Sequence, residues 1–246
     1  MLHRFFLSPE SLKNSEIHFP QETARQIARV LRLKPGARVI VLDNAGQQAE
    51  VELTAVSNDS VEGRVLQISA AGGEPRARLT LYLGLTQREK FEWMLQKCTE
   101  VGAATFVPLV TQRSLVQDGR EVERKRERWE AILREAAEQC GRGRIPELHP
   151  SQTWTAALRS IHADHDLALA AWEDEHTVRL RDALRSLKEQ PNPRLAVLIG
   201  PEGGLSEEEI NDAHATGVQA VSLGKRILRM ETAAVVAAAL ALDELE

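Results

Sequence analysis

A chain of 246 residues, 43% hydrophobic and 27% charged, has room for one large domain or two modest ones and the make-up of a soluble globular protein. Aromatic residues at 4% argue against a stacking platform of several rings, and no run approaches the roughly 18 consecutive apolar residues of a membrane helix. The net charge of −5 argues against a surface coated in nucleic-acid-binding charge; even so, residues 1–38 hold seven Lys/Arg against three Glu, a local excess able to meet phosphate.

The N-terminal run Met1–Leu7 is a brief apolar stretch with no small-residue cleavage site behind it, so a cytoplasmic location is expected. Gln21–Leu33 follows as a helix with Ala24, Ile27, Ala28 and Leu31 on one face, closed by Lys34-Pro35-Gly36. Arg38–Asp43, Ala49–Val56 and Ser60–Ile68 are strands, the last two alternating polar and apolar residues. Together these predict a small β-barrel-like domain, ended by the linker composition of Ala70–Pro75.

From Leu79 the pattern changes to alternating strands and helices. Leu79–Leu85 and Thr105–Val110 are strands, separated by a helix over Arg88–Val101 that buries Phe91, Met94, Leu95, Cys98 and Val101. Glu121–Cys140 is a long helix. The segments Asp166–Ala171, Leu195–Gly200 and Gln219–Leu223 are nearly all apolar, as parallel strands buried on both faces are. Helices fit at Thr177–Lys188, Glu207–Thr216 and Glu231–Leu242. The fold class is α/β with a doubly wound parallel sheet, placing domains at 1–72 and 73–246. Cys98 and Cys140 lack any spacing for zinc or a disulfide framework, so reduced thiols and no metal are expected.

Open α/β sheets bind ligands beyond the carboxyl ends of their strands, and three such ends carry unusual residues. In Ile199-Gly200-Pro201-Glu202-Gly203-Gly204 a buried strand runs into glycines, before Ser206 and Glu209 form a capping-box pattern. Glycine here lets a ligand approach the backbone, although by spacing alone this is equally a well-capped βα loop. It is neither a GxGxxG fingerprint nor a Walker loop. The loop Gly224–Arg229 brings Lys225, Arg226 and Arg229 beside a buried, Ala-rich helix, which solvation alone hardly explains; a basic loop capping a neighbouring helix C-terminus is the less favoured alternative. Third, Glu138-Gln139-Cys140-Gly141-Arg142-Gly143-Arg144 leaves two arginines in a glycine context at a helix end. That suits either an RNA-facing site or simple charge complementation of the helix.

Taken together, Ile199–Gly204 and Leu223–Ala233 resemble the two signature loops of the RsmE family, bacterial enzymes that methylate N3 of a uridine in 16S ribosomal RNA. The resemblance extends to Glu89–Trp93, Gln96–Gly102, Pro108–Arg113, Glu138–Arg142 and Arg29–Arg32, nearly the whole chain. Met230 stands where the family usually has threonine, and Gln26 where histidine is common.

The resemblance implies a PUA-like N-terminal domain and a SPOUT-type domain with a C-terminal trefoil knot, an exception to the rule that chains do not knot. It also implies a homodimer acting on 16S rRNA, within the small ribosomal subunit. S-adenosylmethionine, with S-adenosylhomocysteine as product, would be held by Ala170, Ile199, Gly200, Glu202, Gly203, Leu223, Gly224, Ile227 and Leu228. The N3 proton must leave. Glu202 is the nearest motif carboxylate to take it, and Arg142 or Arg144 would stabilise the uracil anion. Arg4, Arg25, Arg29, Arg32, Arg113 and Arg229 would contact RNA, chiefly its phosphates. Two other functions stay open: a knotted methyltransferase for another RNA, such as a transfer RNA ribose, and a non-catalytic RNA-binding or ribosome assembly protein with a degenerate cofactor pocket.

Overall fold

The computed structural model describes residues 2–117 and 120–246, so Met1, the first residue of the apolar N-terminal run, lies outside them. The chain forms two compact units, Met1–Glu74 with Arg134–Ile145, and Pro75–Leu133 with Pro146–Glu246.

In the first unit, β1 (Arg4–Phe6), β2 (Glu16–His18) and α1 (Gln21–Arg25) precede the longer strands β3 (Arg38–Leu42), β4 (Gln47–Val56) and β5 (Val61–Ala70). The ladder runs β1-β3-β4-β5-β2, with β1 parallel to β3 and every other pair antiparallel. Ala49, Val51 and Leu53 point alternately from β4 into a core with Phe5, Ile17, Val39 and Val41. The helix expected over Gln21–Leu33 is shorter. After α1 the chain makes one π-type turn over Gln26–Val30, in which Leu31 N donates to Gln26 O, and then leaves through Arg32 at φ 52°. Pro35 disfavours helical geometry at Lys34, so the turn cannot propagate. The segment Arg134–Ile145 belongs to this unit through Ala137, which packs on Phe6 and Leu42, and through Glu138, which accepts from Phe6 N at 2.9 Å.

The second unit contains β6 (Arg78–Gly84), α2 (Arg88–Val101) and β7 (Thr105–Val110), and the N-terminal part of α3 (Arg120–Cys140). Next come the two-residue strands β8 (Glu147–Leu148) and β9 (Gln152–Thr153), α4 (Trp154–Asp164), β10 (Leu167–Ala171) and α5 (Leu180–Ala183). The unit ends with β11 (Arg194–Ile199), α6 (Glu207–Ala215), β12 (Gln219–Val221) and α7 (Met230–Leu245). All its strands are parallel, in the order β12-β10-β11-β6-β7-β8, with β9 also paired to β7. The helix expected over Thr177–Lys188 is one turn of α5 continued as a 3-10 turn over Leu184–Leu187.

Two features of this unit place the site. From β6 the chain moves to β7 on one side, whereas from β11 it moves through α6 to β12 on the other. The neighbours β6 and β11 therefore mark a topological switch, where the loops diverge and leave a crevice above the strand ends. The second is α7, buried along Ala234, Ala237, Ala238, Ala241 and Leu242, which packs against α2, β6 and β11. Its C-terminal carbonyls are capped by Arg76, whose Nε donates to Leu245 O at 2.8 Å. Cys98 is a core thiol pushed up to about 12 by burial, and Cys140 is exposed. No helix among the described residues is long and apolar enough to cross a membrane.

Candidate active site

Gly84 ends β6 directly beneath the turn that follows β11. A Cβ there would meet Pro201 N at 2.5 Å and the Gly200 carbonyl carbon at 2.9 Å, so only glycine lets the two strand ends approach this closely. The β11 loop then folds back on itself, with Gly204 N donating to Pro201 O at 2.9 Å. Gly204 has φ +71°, and a Cβ on it would run into the Glu173 carboxylate. The loop is anchored on its far side by α6. Ser206 Oγ accepts from Glu209 N, Glu209 Oε2 accepts from Ser206 N at 2.9 Å, and Glu209 Oε1 also accepts from Gln112 N at 2.8 Å. Arg113 Nη1 donates to Gly203 O at 2.8 Å.

Opposite this loop, the chain from Ser222 to α7 forms the second wall. Between the walls lies a cavity of about 310 Å³, bounded by Ala171 at the end of β10 and Glu173 beyond it, by the Ile199–Leu205 loop, by Ile227–Ala233 and by Lys90 of α2. Its size falls at the small end of ligand sites. Glu202 sits at the mouth of the β6/β11 crevice, where Thr86 Oγ1 donates to Oε1 and Lys90 Nζ lies 3.1 Å from the same oxygen. Partial burial pushes the Glu202 carboxyl up, but the hydrogen bonds from Thr86, its own amide and Lys90 outweigh it. The net effect holds the group below the usual carboxylate range. Glu202 is therefore an anchored anion near neutral pH.

The lining suits a compact, amphipathic, positively charged ligand. A glycine-formed floor offers backbone groups at close range, Ile227 and Leu228 offer apolar surface, and the buried Glu231 Oε2 has no hydrogen-bond partner among the described residues. S-adenosylmethionine, with its sulfonium, ammonium and hydroxyl groups, matches that donor demand.

Of the residues expected from sequence to hold cofactor, Ile199, Gly200, Glu202, Ile227 and Leu228 line the cavity. Ala170 is fully buried in β10, one position short of the lining Ala171. Gly203, Leu223 and Gly224 lie beside the lining residues without belonging to them. Arg229, expected to contact RNA, lines the cavity. Arg142 and Arg144 are placed in the first unit and do not line it. There Arg142, 3% exposed, is paired with Glu74 at 2.7 Å, while the exposed Arg144 donates to Ala45 O at 2.8 Å. Arg25 and Arg29 both meet Asp59, at 2.9 and 3.4 Å, and Arg32 is exposed. Arg4 lies against Gly141. Sequence reasoning missed Thr86, Lys90, Glu173 and Glu231. Lys90 and Glu231 carried a signal, by standing within the Glu89–Trp93 and Leu223–Ala233 motifs, whereas Thr86 and Glu173 carried none.

A doubly wound sheet with its cavity over the switch point matches the comparison with protein families. A model described as "RNA methyltransferase domain" covers residues 73–242, and one described as "RNA methyltransferase PUA domain" covers residues 20–66. The class is thus an RNA methyltransferase with an N-terminal PUA-like domain. Among its relatives, Ribosomal RNA small subunit methyltransferase E of Synechocystis sp. is 34% identical over 97% of this chain and 77% of its own length. That of Bacillus subtilis is 33% identical over 86% and 84%. The chain belongs to the ribosomal RNA small subunit methyltransferase E family. A Neisseria gonorrhoeae member bound to S-adenosyl methionine superposes with a TM-score of 0.86 at 27% identity, covering 97% of this chain and 96% of that one.

Proposed function

We propose that the chain transfers a methyl group from S-adenosylmethionine to N3 of a uridine in 16S ribosomal RNA, as a cytoplasmic homodimer acting on the small ribosomal subunit. The observation that carries this reading is the cavity over the β6/β11 switch point, walled by the two loops that resemble the family signature. The relatives' name, ribosomal RNA small subunit methyltransferase E, supports the substrate class, and the cofactor-bound Neisseria gonorrhoeae structure supports the cofactor.

The bound cofactor supplies an activated methyl group on sulfur; the protein's task is alignment and charge. The Gly200–Gly204 floor and the Leu223–Leu228 wall hold the cofactor, with Gly203, Gly224 and Ala170 setting the backbone around it. Glu202, kept anionic by Thr86 and Lys90, is the proposed acceptor of the N3 proton. Its lowered basicity makes it a weak base, so its value lies in position next to the cavity mouth. Arg142 and Arg144 remain proposed stabilisers of the uracil anion. Because neither lines the cavity, that role requires RNA or a second protomer to bring them to the target base. Arg144 is the better placed of the two, being exposed where Arg142 is committed to Glu74. The N-terminal arginines Arg4, Arg25, Arg29 and Arg32, with Arg113 and Arg229, are proposed to position RNA.

Trefoil knotting is part of the same proposal. The Ser222–Arg229 segment runs from edge strand β12 back to α7, which lies on β6. Ser222 meanwhile bonds Val178 and Leu180 in the β10–β11 connection, whose α5 also packs on α7. A C-terminus threaded past that connection accounts for both sets of contacts. The decisive experiment is mass mapping of small-subunit rRNA from a strain lacking this gene. Loss of one uridine methyl, restored by the wild-type chain, is expected. An unchanged methylation map would sink the reading.

A further inference from the structure

The cavity holds more carboxylate than its own cations match. Glu173, Glu202 and Glu231 line it, facing Lys90 and Arg229. Glu202 is bonded to Lys90, whereas Glu173 and Glu231 have no ion pair among the described residues. Glu231 is the more unusual of these two. It is the second residue of the sixteen-residue α7, in the first turn of the helix. Its Oε2 is closed off from solvent, and no donor among the described residues reaches it. Buried polar atoms are almost always hydrogen-bonded, and a charged one left alone weakens the fold. The terminal torsion of a glutamate is broad and two-fold, so the carboxylate can reorient toward the cavity that the residue lines.

We propose that Glu231 binds the cofactor directly, its carboxylate meeting a hydrogen-bond donor or positive centre of S-adenosylmethionine. This rests on the cavity being the cofactor site. Glu231 is then a residue whose cost in the empty protein is offset only when ligand arrives, which sets it apart from a structural carboxylate. It also gives the pocket a charge preference, because the sulfonium cofactor carries one more positive charge than its thioether product.

Titration calorimetry of wild type and Glu231→Gln with three ligands tests this. The ligands are S-adenosylmethionine, S-adenosylhomocysteine, and methylthioadenosine, which lacks both the sulfonium and the amino acid. The variant is expected to bind S-adenosylmethionine roughly tenfold or more weakly. A loss confined to that ligand assigns the contact to the sulfonium. A loss shared with S-adenosylhomocysteine assigns it to the ammonium, and a loss for all three to the nucleoside hydroxyls. Without ligand, the variant should melt close to the wild-type temperature, because the loss of a carboxylate from the first turn of α7 is offset by relief of an oxygen that has no hydrogen-bond donor among the described residues. Unchanged affinity for all three ligands overturns the inference, as does a variant that melts several degrees lower. Should the variant not fold, the wild-type protein still decides: the Glu231 side-chain carboxyl carbon must shift in its NMR spectrum on cofactor addition, and a stationary signal overturns the inference. Wild type binding none of the three ligands removes the cofactor reading itself, and this inference with it.

Discussion

The two walls of the cavity are built on opposite principles. The Gly200–Gly204 wall is crowded: Gly84, Gly200 and Gly204 each have backbone or side-chain atoms where a Cβ would go, and Glu209 and Arg113 tie its outer side to the β7 end. The Leu223–Arg229 wall is open, with nothing within 4 Å of a Cβ on Gly224 and with Ile227 85% exposed. One wall is set by the fold before any ligand binds. The other has apolar surface still waiting for a partner. Alignment of a methyl group needs a fixed reference, and entry needs a side that can yield; the comparison assigns those tasks to different loops.

The largest effect should come from breaking the crowded wall. Gly84→Ala drives its methyl into Pro201 N at 2.5 Å and the Gly200 carbonyl carbon at 2.9 Å, backbone atoms that cannot step aside as a side chain can, so overpacking of about 1–3 kcal/mol or more falls on the loop itself. Calorimetry should show at least roughly a hundredfold loss of S-adenosylmethionine affinity together with a lower melting temperature. A variant within threefold of wild type would mean the loop is as yielding as its partner. Gly224→Ala is the matched test on the open wall. Its φ of +129° strains alanine by about 1–3 kcal/mol, but no neighbour resists the methyl, so a smaller loss of about tenfold is expected with a modest fall in melting temperature. If Gly224→Ala harms binding more than Gly84→Ala, the assignment of the two walls is reversed.

A smaller effect probes what the open wall is waiting for. Truncating Ile227 to alanine removes a side chain that packs on almost nothing, so stability in the absence of ligand should stay within about 0.5 kcal/mol. If the side chain closes over cofactor, the lost burial of about 1 kcal/mol should weaken binding by roughly fivefold. Equal affinity in calorimetry would leave Ile227 for RNA or a second protomer.

The same contrast explains what could be read from the sequence. The crowded wall announces itself locally. Three glycines, a proline and the Ser206/Glu209 pair lie within ten residues, and each has a backbone reason to be there. Strand β7 and helix α2 are legible to the residue, β7 as a compact apolar run and α2 by its regular helical periodicity. In contrast, β1, β2, β8 and β9 have only two or three residues each, too few for any period to show, and α4 went unread. The open wall and its polar neighbours are assembled by topology. Thr86 and Glu202 are 116 positions apart, and only the β6/β11 pairing brings them together. Arg142 and Arg144 mislead in the opposite direction. Their glycine context suggests freedom, yet Glu74, far earlier in the chain, accepts from the Arg142 side chain and from the Arg144 backbone.

The subtlest test concerns the electrostatic anchor of the crowded wall. Burial alone would raise the Glu202 carboxyl, and it is the Thr86 hydroxyl, the loop amide and Lys90 that bring it below its ordinary value. A group depressed in the folded state stabilises the fold above its unfolded value, and that contribution is lost as pH falls through the folded one. Thr86→Val keeps the shape and removes the hydroxyl donor, so the burial effect gains on the remaining hydrogen bonds and the Glu202 pKa must rise. The acid limb of stability should therefore begin at higher pH in the variant, while the two proteins differ by a constant offset near neutrality. Acid unfolding followed by circular dichroism, with the Glu202 carboxyl titrated by NMR, reads both quantities. If the Glu202 titration does not move, Lys90 and the loop amide alone hold the carboxylate, and the switch-point pairing of β6 with β11 contributes shape to the site without tuning its charge.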